Sequence, residues 1–256
     1  MAAAAHSQVE TIPLSVPGVL AVRTRSEAPY FGLKEVFSIC RFESGRSEFW
    51  AHGRVWPGRP GSVVIHQPGD VHRDVSRDGP VTYQMIKLPP ELVERVIGKV
   101  RVYSCLAVDD ARGAVFRRLH DAAAANADRF ELECALGEAI GALDAAAEHR
   151  YEHTRPVRRA LALLRERMSE VLTLDELADY ADLDKFHLCR AFRAQVGMPP
   201  HAYLTRLRIL HAKKLLAAGA RPKDIAAQVG LYDQSQLNRH FRRITGMTPG
   251  QFARAL

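Results

Sequence analysis

No apolar run in the chain approaches the ~20 residues that a membrane-spanning helix requires, which excludes a helical span. The opening residues 1–6 have neither a basic stretch nor a Leu-rich one, so they do not read as a secretory signal. A frayed terminus and a cytoplasmic protein are expected from them. Cysteine is scarce: Cys40, Cys105, Cys134 and Cys189 are the four, widely spaced and without a C-x-x-C pair. That argues against both a zinc site and a disulfide framework, and reduced thiols are expected. Acidic residues are also in deficit, 29 against 36 Lys and Arg, leaving a net charge of +7. What remains is ordinary globular composition, 47% hydrophobic and 25% charged, over 256 residues. This is room for one to two domains with a sizeable core.

The positive charge is concentrated. From residue 153 onward there are 18 Lys and Arg against 9 Asp and Glu, whereas residues 1–152 have 18 against 20. A basic block of about a hundred residues joined to a slightly acidic larger part is the asymmetry expected when one domain meets a polyanion and the other has a different task.

Up to about residue 105 the chain is broken by turn signals, Pro57-Gly58-Arg59-Pro60-Gly61, Gln67-Pro68-Gly69-Asp70 and Asp78-Gly79-Pro80. Between them, 36–42, 49–56, 62–66, 71–75 and 81–88 are β-branched or aromatic and read as short strands of an antiparallel barrel or sandwich. From Pro90 the period changes. Leu92, Val96 and Val100, then Val115, Leu119 and Ala122, then Leu132, Leu136, Ala139, Ile140, Leu143 and Ala147 mark amphipathic helices. The last of these are expected to form a seam with a second copy of the chain or to cover the barrel, with dimerisation favoured. The polar segment 149–156 ends in Pro156 and is read as a linker, and everything beyond it as helix.

The last hundred residues contain an internal repeat. Asp184, Leu188, Arg190, Phe192, Gly197, Met198 and Pro200 fall 49 positions before Asp233, Leu237, Arg239, Phe241, Gly246, Met247 and Pro249. Leu177 and Ala178 precede Ile225 and Ala226 by 48, so the second copy has one extra residue in its turn. Each copy reads as a short helix, a turn, a longer helix opened by an aspartate cap and a glycine stop, a helix-turn-helix plan. Thr173 and Glu176 make a capping box, and Pro222 suits a first helical turn. In the longer helices Leu188 and Phe192, and Leu237, Phe241 and Ile244, are expected inside. Phe186, Cys189, Arg190 and Arg193, and Gln234, Ser235, Asn238, Arg239 and Arg242, form outward stripes that a major groove about 12 Å wide accepts. Between the copies, residues 201–218 form a predicted helix of about 27 Å. Such a spacer suits two recognition helices entering successive grooves about 34 Å apart.

These residues make the chain resemble the AraC/XylS family of bacterial transcription regulators. The resemblance covers residues 157–253 and is strongest over GLYDQSQLNRHFRRITGMTPGQF. It implies base reading by Phe186, Cys189 and Arg190 and by Gln234, Ser235 and Arg239. Arg193, Arg242, Arg243 and Lys185 are expected at phosphates. Cys189 departs from the longer polar side chain common at its position, and a thiol is a weak hydrogen-bond partner.

Upstream, strands ending in Pro68-Gly69-Asp70-Val71-His72 resemble the small cupin-type sensor barrel of such regulators. The expected fold is therefore α+β and multidomain. Residues 1–106 are a cupin-like antiparallel β barrel, 107–152 a helical linker or dimerisation segment, and 153–256 an all-α double helix-turn-helix. Trp50, His52, Trp56, His66, His72 and Tyr83 are the candidate lining of an effector pocket. His52, His66 and His72 with Glu48 invite comparison with cupin metal sites, but the H-x-H pattern is absent, so no metal and no cofactor is expected. The reading is a non-enzymatic, sequence-specific regulator, a homodimer answering a small molecule. It would engage promoter DNA and RNA polymerase, as an activator or as a repressor. The rivals are a metal-dependent cupin enzyme tethered to DNA by its basic tail and a ligand-independent architectural activator.

Overall fold

The computed structural model describes residues 7–98, 102, 104–146 and 153–255. The expected frayed terminus, Val100, Ala147 and positions 149–152 of the expected linker lie outside them. Two compact units divide the chain, residues 1–151 and 152–256.

The first unit holds strands β1 (Ser7–Ile12), β2 (Leu20–Ser26), β3 (Phe31–Leu33), β4 (Phe37–Ser44), β5 (Ser47–Ala51), β6 (Arg54–Gly58), β7 (Val63–His66), β8 (Val71–Arg77), β9 (Val81–Leu88) and β10 (Ser104–Leu106), and helices α1 (Pro90–Ile97), α2 (Ala114–Ala124) and α3 (Arg129–Ala146). The strands pair antiparallel in a six-stranded sheet, β1-β2-β9-β4-β7-β10, and a four-stranded one, β3-β8-β5-β6. Central strands of the larger sheet are apolar on both faces because both are covered. Phe37 and Ile39 of β4, Ile65 of β7 and Ile86 and Leu88 of β9 pack on α1–α3. Their neighbours Cys40, Phe42 and Val64 pack instead with Phe49, Ala51 and Trp56 of the second sheet. The period of 2 thus divides one strand between two cores.

Three expectations change here. The run 49–56 is not one strand but the hairpin β5–β6, turned at His52 and Gly53, whose φ values are 49° and 77°. The expected stripe of Leu92 and Val96 is turned partly off the core: Val93 is the buried residue of α1, Leu92 packs at the core's edge, and Val96 is 52% exposed. Leu132, Leu136, Ala139, Ile140 and Leu143 of α3 are buried against the sheet of their own chain. They cover the barrel, so they are not the surface of a dimer seam.

The second unit is helical: α4 (Arg155–Glu166), α5 (Leu174–Ala181), α6 (Lys185–Val196), α7 (Pro200–Ala217), α8 (Pro222–Gln228), α9 (Gln234–Thr245) and α10 (Pro249–Arg254). Pro156, expected to close a linker, instead occupies the first turn of α4, where its missing N–H costs nothing. The pairs α5–α6 and α8–α9 are the two helix-turn-helix copies. Phe192 packs edge-on to Tyr203 of α7 at 5.8 Å between ring centroids. Phe241 does the same with Phe252 of α10 at 5.5 Å. Ile209, Ala212 and Leu216 of α7 join the second core. Gly230, in the second turn, has φ 74°, and a Cβ there would stand 2.6 Å from the Ser169 carbonyl oxygen.

Candidate functional site

The two longer helices are built alike. Helices α6 and α9 have 12 residues each. Asp184 Oδ1 accepts from the backbone N–H groups of Phe186 and His187 at 3.0 and 3.1 Å, and Asp233 Oδ1 from that of Gln236 at 2.6 Å. Gly197 and Gly246 end them in the left-handed region at φ 86° and 84°. Each helix is pinned by one buried face, Leu188, Phe192 and Val196 in α6, and Leu237 and Phe241 in α9. The opposite face is thereby held outward. Phe186, Arg190 and Arg193 are exposed, as are Gln234, Ser235, Asn238, Arg239, Arg242 and Arg243, while Cys189 is half-buried. Ile244 is only half-buried against the second core.

The cations on these faces differ in what already holds them. Among the described residues no ion pair engages Arg190, Arg193, Arg239 or Arg242. Lys185 Nζ donates to Asp175 Oδ1 at 2.8 Å, and Arg243 Nη2 lies 3.0 Å from His240 Nδ1. The Lys185 pair is exposed on both sides, and pairs of that kind contribute only about 0–1 kcal/mol, so a phosphate can displace it. Burial and the charges of Arg243, Arg239 and Arg208 lower the pKa of His240, which reports the positive field along α9. Tyr232 is 93% exposed immediately before the Asp233 cap, and the sequence pattern does not single it out. A large aromatic preceding an N-cap normally packs inward, and its failure to do so is a tertiary fact.

In the first unit, the two sheets bring together some of the expected pocket residues. His66 Nε2 lies 3.0 Å from His72 Nδ1, and His72 Nε2 lies 3.2 Å from Asp74 Oδ1. Burial holds His66 well below the usual histidine pKa and His72 at about 4, so both rings are neutral at neutral pH. The carboxylate can only accept, so His72 donates through Nε2 and His66 donates through its own Nε2 to His72 Nδ1. Arg77 Nε donates to Asp74 Oδ2 at 2.9 Å. Phe49 stacks on His72 with centroids 4.6 Å apart, and the Tyr30 ring lies 5.8 Å from it. Tyr83 tilts against Phe42 at 6.3 Å.

Other expected lining residues stand elsewhere. Trp50 is on the outer face of β5, between the buried Phe49 and Ala51, with the Arg73 guanidinium 5.8 Å from its ring. Trp56 is packed into the core and donates through Nε1 to the Ala51 carbonyl at 3.1 Å. His52 sits in the β5–β6 turn, its Nε2 3.0 Å from Asp70 Oδ1. Glu48 is exposed and accepts from Ser76 Oγ at 3.0 Å, away from His66 and His72. A metal shared by these four has no geometric basis, and among the described residues no group of three or more His, Cys, Asp or Glu side chains converges to hold an ion. The interior nevertheless retains open surface. On the central strand β9 the helix-facing Gln84, Ile86 and Leu88 are buried, while the inward Tyr83, Met85 and Lys87 are half-buried.

A family model described as an AraC-like ligand binding domain matches residues 30–140, and one described as a helix-turn-helix domain matches residues 177–255. The chain belongs to the AraC family of transcriptional regulators. The AraC-family assignment is carried by relatives as well. The HTH-type transcriptional regulator YbfI of Bacillus subtilis is 29% identical over 223 residues, 79% of each chain. The HTH-type transcriptional activator RhaR of Klebsiella pneumoniae is 32% identical over 145 residues, 48% of this chain and 51% of that one. The crystal structure of ToxT from Vibrio cholerae shares the fold at a TM-score of 0.53 and 10% identity, covering 98% of both chains. The AraC-family chain is thus a transcription regulator, with a DNA-binding helix-turn-helix unit and a ligand-binding unit, and not an enzyme. None of its described helices is long and apolar enough to cross a membrane.

Proposed function

We propose that this AraC-family chain is a cytoplasmic, sequence-specific regulator that binds promoter DNA as a homodimer and engages RNA polymerase. The working division is a sensor barrel over 1–106, a helical segment over 107–152 and a DNA-binding part over 153–256. One observation carries the reading: two helices in matched register present Arg190 and Arg239, each capped and pinned from behind and each without an internal ion pair among the described residues. Arg190 and Arg239, with Phe186, Cys189, Gln234, Ser235 and Asn238, are assigned to base edges, where a guanidinium fits guanine bidentately. Arg193, Arg242, Arg243 and Lys185 are assigned to phosphates, which position the protein without reading sequence. An effector in the barrel would shift the population of DNA-engaging states through its different affinity for them. Since the apolar face of α3 is spent on its own sheet, the homodimer contact is assigned to a surface other than Leu132, Leu136, Ala139, Ile140 and Leu143.

Selection of bound fragments from genomic DNA, followed by footprinting, tests this reading. It predicts one protected face spanning two adjacent major grooves and loss of the pattern in an Arg190→Ala, Arg239→Ala double variant. Protection without sequence preference favours the architectural alternative.

A further inference from the structure

The inward face of the sensor carries two lysines, Lys34 and Lys87, that no ion pair engages among the described residues. Ser38 of β4 is paired across the sheet with His66 of β7 on one side and with Lys87 of β9 on the other. His66 reaches across to His72 on the facing sheet, so it points inward, and directly opposed antiparallel residues share a face with Cβ atoms about 5 Å apart. Ser38 and Lys87 therefore point inward too. Ser38 is 2% exposed, and its Oγ is buried without a hydrogen-bond partner among the described residues. Lys34, just ahead of β4, holds its Nζ 4.7 Å from the centre of the Tyr30 ring, beside His72. Burial lowers the pKa of Lys34; Cys40, Asp74 and Asp70 oppose that shift from a distance, and Lys87 adds a smaller repulsion.

The nearby carboxylates attract Lys34 from a distance but make their hydrogen bonds elsewhere. Asp74 is paired with Arg77 and bonded by His72 and the Tyr30 N–H. Asp70 accepts from the Gln67 backbone and side chain and lies against His52. Among the described residues neither Lys34 nor Lys87 has an ion pair, and His66 and His72 are neutral. Keeping the Lys34 ammonium without an ion pair at a desolvated position costs stability, and such a cost persists where it serves a function.

We propose that the effector is an organic acid whose carboxylate sits between Lys34 and Lys87 over the Ser38 hydroxyl. This rests on the barrel being the sensor. The next inward row, Val22, Met85, Cys40 and Val64, is set by the pairings Val22 with Met85, Met85 with Cys40 and Cys40 with Val64. Burial pushes the Cys40 thiol up to about 12, so this row is a neutral, apolar floor for the body of the acid. A carboxylate suits the donors better than a phosphoryl group. The site offers two point charges and one hydroxyl, and Arg77, the arginine close by, is occupied by Asp74 and the Ser26 carbonyl.

The test uses the full chain, calorimetry and thermal melting, with hexanoate and phenylacetate, their matched amides, inorganic phosphate and a neutral polyol series as probes. At least one acid is expected to bind and raise the melting temperature while its amide does not. Lys34→Met and Lys87→Met should each weaken that acid roughly ten- to a hundredfold, the loss of one charge-assisted bond. Ser38→Ala should weaken it less. Lys34→Met should also raise the melting temperature without any ligand, because it removes an unpaired buried charge; a merely structural lysine would lower it. Equal binding of acid and amide, tighter binding of phosphate than of either acid, or unchanged acid affinity in both lysine variants overturns the proposal. Stabilisation by a neutral polyol, with the acids inert, overturns it while leaving the sensor reading intact. Silence of every probe together with a lower melting temperature in Lys34→Met overturns both.

Discussion

Replacing Arg239 with Ala removes a guanidinium that is exposed on α9 and has no ion pair among the described residues. The fold should barely register the change, since surface substitutions of this kind fall within about 0.5 kcal/mol. The helix keeps its Asp233 cap, its Gly246 stop and its buried Leu237 and Phe241, so any loss of binding reports the guanidinium itself. A bidentate base contact is worth about 1–3 kcal/mol, or roughly 5- to 150-fold in affinity for the cognate site, with almost none lost on random DNA. Arg242→Ala should behave differently. It should weaken cognate and random duplexes alike and reduce the slope of log K against log salt by ~0.9, the signature of one phosphate contact. Fluorescence anisotropy on both duplexes across a salt series separates the two outcomes. If Arg239→Ala weakens random and cognate DNA equally and lowers the salt slope, the assignment of Arg239 to a base is wrong.

Three further outcomes follow from the packing. The pKa of His72 is lowered to about 4, that of His120 to about 3 and that of His66 well below the usual value, all chiefly by burial, so at pH 5 the unfolded chain binds protons that the native one does not. Stability is therefore full above about pH 6.5 and falls toward pH 4, by about 1.4 kcal/mol per pH unit for each such histidine; urea unfolding at pH 7 and 5 measures it, and a slope unchanged in His120→Phe refutes the share given to that ring. Gly230→Ala, with φ 74° and a Cβ 2.6 Å from the Ser169 oxygen, should destabilise the helical unit by more than Gly246→Ala, which meets strain of about 1–2 kcal/mol but open space; equal melting temperatures would contradict the clash. Ile140→Ala should cost about 2–5 kcal/mol as a core cavity with no change in oligomeric state by light scattering, whereas selective dissociation of a dimer would return α3 to an intermolecular role.

The helix-turn-helix copies were legible because their determinants are local. Caps, stops and the i, i+4 core pairs lie within a dozen residues of each other, and a repeat at 49 positions tests each against its twin. The same local logic failed in part in α1, where Leu92 reaches the core's edge but Val96 is exposed and Val93 is the residue buried. It also failed in α3, whose apolar face identified a buried surface without identifying what buries it. In the barrel, of the lining residues Trp50, His52, Trp56, His66, His72 and Tyr83 the fold brings His66 and His72 into contact, whereas Trp50 and Glu48 face outward on β5, because the run 49–56 folds back at His52 and Gly53 and one strand's alternation does not carry through that turn. Tyr30, Lys34, Ser38, Phe49, Asp74 and Lys87 escaped notice altogether, though a serine and a lysine at inward positions of otherwise apolar strands are a signal that pairing makes readable.

What the amino-acid order alone determined is the helical half: which residues open and close each helix, which face turns inward, and where the arginines stand on the other. Those follow from the 3.6-residue period and from hydrogen bonds between near neighbours. Only the tertiary structure decided the barrel interior. There β4 lies between β7 and β9, strands distant in sequence, and long-range register sets Ser38 opposite both His66 and Lys87. A one-residue slip in either pairing would turn the strand's inward set outward, and no local pattern specifies that choice.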